Sequence, residues 1–197
     1  MMKIYGDEIS GNCLKVKYTA DFLGLAYQWV PVDVVKGETR TPEFLSMSRM
    51  GQVPLVELDE DRYLAQSNAI VRYLAKGSAL IPTDPFVEAK ADELMFWEQY
   101  SHEPYVAVCR FQILYLKRPK EEREEMRVAR GEAALDFMEQ TIEGREWFAG
   151  DRFSIADIAL LPYTRFAEQG GFDLSSRPHV GSWISRCEKT LGLSPVN

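Results

Sequence analysis

The feature that most constrains this fold is Gly51-Gln52-Val53-Pro54-Leu55-Val56, followed after a short hairpin by Gln66-Ser67-Asn68-Ala69-Ile70. Proline has no N–H and cannot stand inside a sheet ladder, so Pro54 belongs at the first residue of a strand, where it presents the preceding backbone. Val53 then offers its N–H and C=O to an extended peptide. Gln66 and Ser67 close the next strand and open a helix, where unpaired N–H groups and the helix dipole favour a carboxylate. The pattern describes a peptide-binding sheet edge beside a helix start. The plainer alternative is a hairpin followed by a helix that Ser67 caps.

The rest of the first half supports the peptide-binding reading. Met2 to Asp7 reads as a short strand, and Ser10-Gly11-Asn12-Cys13 leads into a helix to about Leu23 that Gly24 stops. A strand from Gln28 to Val32 follows, then a helix from Thr41 to Met47 with Thr41 as N-cap and Pro42 in the first helical position. Strand, turn, helix, strand, helix, Val-Pro, hairpin and helix is the order of a thioredoxin-like domain. At these residues the chain resembles the glutathione S-transferase superfamily, and the resemblance covers nearly the whole chain. Ser10-Gly11-Asn12-Cys13 is similar to the active-site turn of the serine-type classes, theta, phi and their bacterial relatives. Gln52-Val53-Pro54 resembles the glutathione-backbone site and Gln66-Ser67 the γ-glutamyl site, although the family more often has an acidic residue where Gln66 stands. Downstream, Phe153-Ser154-Ile155-Ala156-Asp157-Ile158-Ala159 resembles the capping box of the family's helical domain.

The expected fold is an α/β thioredoxin-like N-terminal domain plus an all-α C-terminal helical domain. The expected boundaries are 1–76 for the glutathione-binding domain, 77–85 for a linker carrying Pro82 and Pro85, and 86–197 for the helices. Phe86 to about Leu116 reads as one long helix bent at Pro104. Pro119 is expected to start another, with Glu121, Glu122, Glu124 and Glu125 in its first turns. Leu135, Met138 and Ile142 continue a buried stripe at helical spacing. The Ser154 helix and a last one from about Pro178 to Leu191 complete the pattern.

Composition narrows the function classes. With 197 residues and 46% hydrophobic content, the chain can bury one large or two small cores. No signal peptide or membrane span is legible, so a cytoplasmic location and no membrane partner are expected. Cys13, Cys109 and Cys187 form neither a disulfide framework nor a zinc cluster, and with only His102 and His179 no metal site is expected. A net charge of −7 argues against nucleic acid or an anionic membrane as partner. Glutathione is itself an anion, so its site must be locally positive.

The resemblance implies a transferase that uses glutathione as co-substrate against a hydrophobic electrophilic small molecule, in the chemistry of detoxification. A free thiol with a pKa near ~8.5 is only slightly ionised at neutral pH. In that chemistry Ser10 is the catalytic residue, its hydroxyl donating a hydrogen bond to the thiolate, worth ~1.5–3 kcal/mol. The following helix dipole adds ~0.3–1 kcal/mol. Asn12 either fixes the turn around Ser10 or is simply the helix N-cap. Cys13 stands in the second, buried position of the turn and joins Val16, Ala20 and Leu23 on one helical face, which favours a structural role. Lys15 and Lys17 are read as solvent-facing charges rather than aids to the thiolate. Arg40 is the implied partner of the glycyl carboxylate, with Lys36 as the alternative, and Gln52 adds a polar contact near the same end.

The electrophile is expected between the domains, along the long helix. Tyr100, Tyr105, Cys109, Phe111 and Tyr115 supply surface there, and His102-Glu103-Pro104 with Arg110 is the best polar group for a pocket. Family members pair as homodimers, so a homodimer is expected. Two other functions stay open: another glutathione-dependent enzyme, such as an isomerase, dehalogenase or peroxide reductase, and a non-catalytic adaptor like the stringent-starvation or elongation-factor relatives. Intact Ser10, Val53-Pro54 and Gln66-Ser67 argue against the adaptor.

Overall fold

The computed structural model describes residues 1–59 and 61–196. It divides into two compact units, 1–78 and 79 onward. The first unit runs β1 (Met2–Gly6), α1 (Gly11–Phe22), β2 (Tyr27–Pro31), α2 (Pro42–Met47), β3 (Leu55–Asp59), β4 (Arg62–Ala65) and α3 (Ser67–Ala75). These strands form a mixed sheet in the order β2-β1-β3-β4. β1 pairs parallel with β2, Ile4 opposite Trp29, and antiparallel with β3, Ile4 opposite Val56. Leu55 faces Ala65 across the β3–β4 hairpin.

Alternation along the strands gives each sheet face its own core. Tyr5, Leu55 and Val53 join Val32 and Phe44 in a cluster beneath α2. Ile4 and Val56, one residue out of phase, are fully buried on the other face. α1 and α3 pack side by side. Gly6 permits a close approach: a Cβ there would lie 2.6 Å from the Trp29 ring and 3.3 Å from Cys13 Cβ. Thr41 caps α2, its hydroxyl accepting from the Phe44 N–H, with Pro42 at the helix start.

The second unit is helical: α4 (Pro85–Trp97), α5 (Glu103–Leu114), α6 (Glu125–Ile142), α7 (Ile155–Arg165) and α8 (Pro178–Leu191). Asp84 caps α4, accepting from the N–H groups of Phe86 and Val87. Every residue of α7 is buried. Val106, Cys109, Leu135, Tyr163 and Phe172 form a core cluster among α5, α6 and α7, and Leu135, Met138 and Ile142 are buried along α6 as their spacing predicts.

Two helix boundaries differ from the sequence reading. The long helix carries a π-turn over Glu98–His102, which ends two residues before Pro104. Pro104 is the second residue of α5 and follows helical backbone, so its missing N–H leaves a gap in the ladder where the π-turn meets the helix. Pro119 does not start a helix of any length. It precedes a single 3₁₀ turn, Lys120–Glu122, and α6 begins only at Glu125. Arg123 and Arg127 anchor that approach from the side, donating to the Gly170 and Pro104 carbonyls, which a local reading of the acidic run cannot see.

Candidate active site

Asp7 builds the turn that presents Ser10. Its carboxylate accepts from the Ile9 N–H at 2.9 Å, its carbonyl from the Ser10 N–H at 3.2 Å, and its own N–H donates to Cys13 Sγ at 3.4 Å. An aspartate bonding the backbone two residues on is an ordinary turn signal, and it was legible in Asp7-Glu8-Ile9-Ser10 although the sequence reading passed over it. Ser10 is the N-cap residue of α1, in extended conformation, and its side chain makes no capping bond. The hydroxyl instead hydrogen-bonds the Cys13 thiol.

Cys13 is fully buried and its thiol is pushed up to about 12, chiefly by burial. A thiol in that state is not a nucleophile at neutral pH. Cys109 and Cys187 are likewise buried free thiols with raised pKa values, burial again the main cause.

Asn12 follows Gly11 inside α1, so Ser10 and not Asn12 is the N-cap. The Asn12 Oδ1 accepts from Lys15 Nζ at 2.9 Å and from Ser67 Oγ at 3.1 Å, joining the start of α1 to the start of α3. Lys15 is not solvent-facing. It is 0% exposed, whereas Lys17 pairs with Asp21 at 2.7 Å near the surface. Leu14, Tyr18 and Thr19 are buried as well as Lys15, so burial in α1 extends beyond the Cys13, Val16 and Ala20 face.

Ser67 does not cap α3. Gln66 occupies the N-cap position without a side-chain capping bond, and Ser67 is the first helical residue, buried, with its hydroxyl turned to Asn12. Gln66 has φ 69° and ψ 110°, a conformation costly for a residue with a Cβ and characteristic of ligand-binding positions. Its Nε2 contacts Met50 Sδ at 3.4 Å.

Arg40 lies near the same segment. Its Nη1 donates to the Met50 carbonyl at 3.2 Å. Gly51 has φ 57°, and a Cβ on it would lie 2.9 Å from the Thr39 carbonyl, so the turn beside Arg40 needs glycine. Lys36 is taken up by Asp33 at 3.0 Å. Gln52 is exposed and Val53 half-buried. The Val53-Pro54 peptide is cis, and Pro54 directly precedes β3 instead of opening it. The contacts Asn12–Ser67, Gln66–Met50 and Arg40–Met50 thus gather the sequence candidates around the loops at the starts of α1, β3 and α3.

In the helical unit, His102 and Arg110 are structural. Both are buried, His102 Nε2 meeting Thr164 Oγ1 at 3.1 Å and Arg110 Nε donating to Gln169 Oε1 at 2.9 Å. Cys109 is core, while Phe111 and Tyr115 stack on each other. Tyr100 and Tyr105 do line a pocket of about 270 Å³, together with Trp97, Phe137 and Arg130, whose Nη1 donates to Tyr105 Oη at 2.7 Å. Among the described residues no group of His, Cys, Asp and Glu is arranged to hold a metal ion, and no helix is long and apolar enough to cross a membrane.

The family model described as glutathione S-transferase, N-terminal domain, matches residues 2–76, and the one described as glutathione S-transferase, C-terminal domain, matches 95–190. The crystal structure of a glutathione S-transferase from Pseudomonas fluorescens superposes with a TM-score of 0.91 at 44% identity, covering 95% of this chain and 94% of that one. Glutathione S-transferase 3 of Zea mays is 32% identical, covering 92% of this chain and 86% of its own length. Maleylacetoacetate isomerase of Pseudomonas aeruginosa is 30% identical, covering 91% and 87%.

Proposed function

The chain belongs to the glutathione S-transferase family, whose co-substrate is glutathione, and on that premise we propose that it is a serine-type enzyme in which Ser10 holds the glutathione thiol as thiolate. One observation carries the assignment: Ser10 stands at the N-terminus of a 12-residue helix with its hydroxyl unused for capping, above a cysteine too buried to ionise. When glutathione binds, the hydroxyl turns from the neutral Cys13 thiol to the anionic sulfur, a better acceptor. The thiol proton leaves to solvent, and the sulfur bonds to the electrophilic carbon of a hydrophobic second substrate as that carbon's leaving group departs with the displaced electron pair.

Ser67 and the first N–H groups of α3 receive the γ-glutamyl carboxylate, with Gln66 beside the amine. Val53 pairs with the cysteinyl backbone, Pro54 fixing its direction, and Arg40 with Gln52 receives the glycyl end. Residues 1–76 form the glutathione-binding domain, joined through 77–85 to the helices at 86–197. The protein works in the cytoplasm as a homodimer. Phe86, Phe96 and Tyr100 are more than 70% exposed, apolar area that pairing would cover. A stable monomer mass by light scattering at micromolar concentration would contradict the dimer.

A second reading has its own support in the isomerase relative: the same thiolate would add to a substrate double bond and leave again after rotation. Turnover tests with glutathione against a panel of electrophiles and against a maleyl compound, whose cis double bond is conjugated to carbonyls, separate conjugation from isomerisation. Binding itself is tested by heat. A ligand at a hundredfold excess over Kd stabilises by about 2.7 kcal/mol, so glutathione should raise Tm by several degrees, and Ser67→Ala should shrink that shift. An unchanged Tm at millimolar glutathione would favour the adaptor reading.

A further inference from the structure

Lys15 is a lysine with no exposed surface, and its Nζ donates to the same Asn12 oxygen that holds the Ser67 hydroxyl. An ammonium has donors only, so the Asn12 atom it meets is the amide oxygen. The Ser67 hydroxyl, meeting that oxygen too, must spend its single proton on it. What Ser67 has left in this state is lone pairs, which repel a carboxylate. To receive one, the hydroxyl must rotate and hand its proton to the ligand. Asn12 Oδ1 then loses a donor in a partly buried position, which is unfavourable unless another donor stays in place.

Lys15 is that donor, and its bond is charge-assisted. We propose that Lys15 is a positioning residue for glutathione: it keeps Asn12 Oδ1 satisfied while Ser67 transfers its hydrogen bond from Asn12 to the γ-glutamyl carboxylate. The inference rests on the assignment of Gln66-Ser67 as the γ-glutamyl site. Lys15 never touches the ligand and acts only through Asn12.

A double-mutant cycle tests the idea, with glutathione affinity read by calorimetry for the wild type, Lys15→Met, Ser67→Ala and the double variant. Lys15→Met should weaken binding about three- to tenfold, because Asn12 then retains the Ser67 proton. The same change in the Ser67→Ala background should weaken it much less, there being no hydroxyl to release. In turnover the loss should fall on KM for glutathione rather than on kcat. Should Lys15→Met fail to fold, Lys15→Gln serves in the same cycle, since it drops the charge and shortens the donor arm by one bond. Affinity unchanged by either variant, or a loss that persists in full without the Ser67 hydroxyl, would overturn the proposal. Equal binding by the wild type and Ser67→Ala would instead overturn the γ-glutamyl assignment, and the role of Lys15 with it.

Discussion

The start of α7 and the starts of α1 and α3 are built in opposite ways. At α7 every group is closed: Ser154 Oγ accepts from the Ala156 N–H, and Asp157 accepts from the Ser154 N–H at 3.0 Å, the Ser154 hydroxyl at 3.1 Å, the Phe148 N–H at 3.1 Å and Trp183 Nε1 at 2.9 Å. At α1 and α3 the N-cap side chains make no capping bond, and the hydroxyls nearby are held by Cys13 and Asn12. A filled helix start stabilises the fold. An unfilled one keeps donors for a ligand and gives up that stability. On the proposed function, the contrast divides these polar residues into those serving the fold and those serving glutathione.

The largest effect expected from breaking this contrast is on stability at α7. Asp157→Ala removes the acceptor of four hydrogen bonds in a fully buried place and should cost about 3 kcal/mol or more, read by chemical denaturation. Ser154→Ala should cost less, about 0.5–2 kcal/mol. Specific activity per folded molecule should stay at the wild-type level in both. Activity lost at unchanged stability would make Asp157 part of the chemistry and erase the distinction.

The reverse pattern is expected at α1. Ser10→Ala should lower conjugation about ten- to a hundredfold, equivalent to ~1.4–3 kcal/mol of lost thiolate stabilisation, with glutathione binding largely kept. Since Ser10 makes no capping bond, Tm should barely move. Thiolate absorbance of bound glutathione against pH supplies the direct measurement, and the bound thiol should titrate higher in the variant.

A smaller effect sharpens the α7 side. Burial raises the Asp157 carboxyl from 3.8 to about 6, despite its hydrogen bonds. With the folded pKa above the unfolded one, this group favours folding when protonated, and the contribution is lost as pH rises through 6. Between pH 7 and pH 5 the wild type should therefore gain about 1 kcal/mol relative to Asp157→Asn, compared by denaturation at each pH. Parallel pH profiles would show that the hydrogen bonds outweigh burial. Least of all, Cys13→Ala should cost about 1 kcal/mol through lost packing with a modest change in rate. If it abolished turnover while Ser10→Ala remained active, the enzyme would work through a mixed disulfide at Cys13.

The sequence by itself determined what is local. Periodicity and caps placed α2 at Thr41-Pro42, α8 over Pro178–Leu191 and the Ser154–Asp157 box, because each depends on residues within a turn or two of one another. Motif order likewise pointed to Ser10, Val53-Pro54 and Gln66-Ser67 as one site. Tertiary structure alone decided how polar groups far apart in sequence share partners. Ser67 meets Asn12 across 55 positions, and Trp183 reaches Asp157 across 26, so no local pattern could tell that Ser67 is not a cap or that Asp157 is more than one. Lys15 is the clearest case. Whether a lysine stem lies along the surface or enters the interior depends on what packs over it, and helical spacing records only the helix's own face.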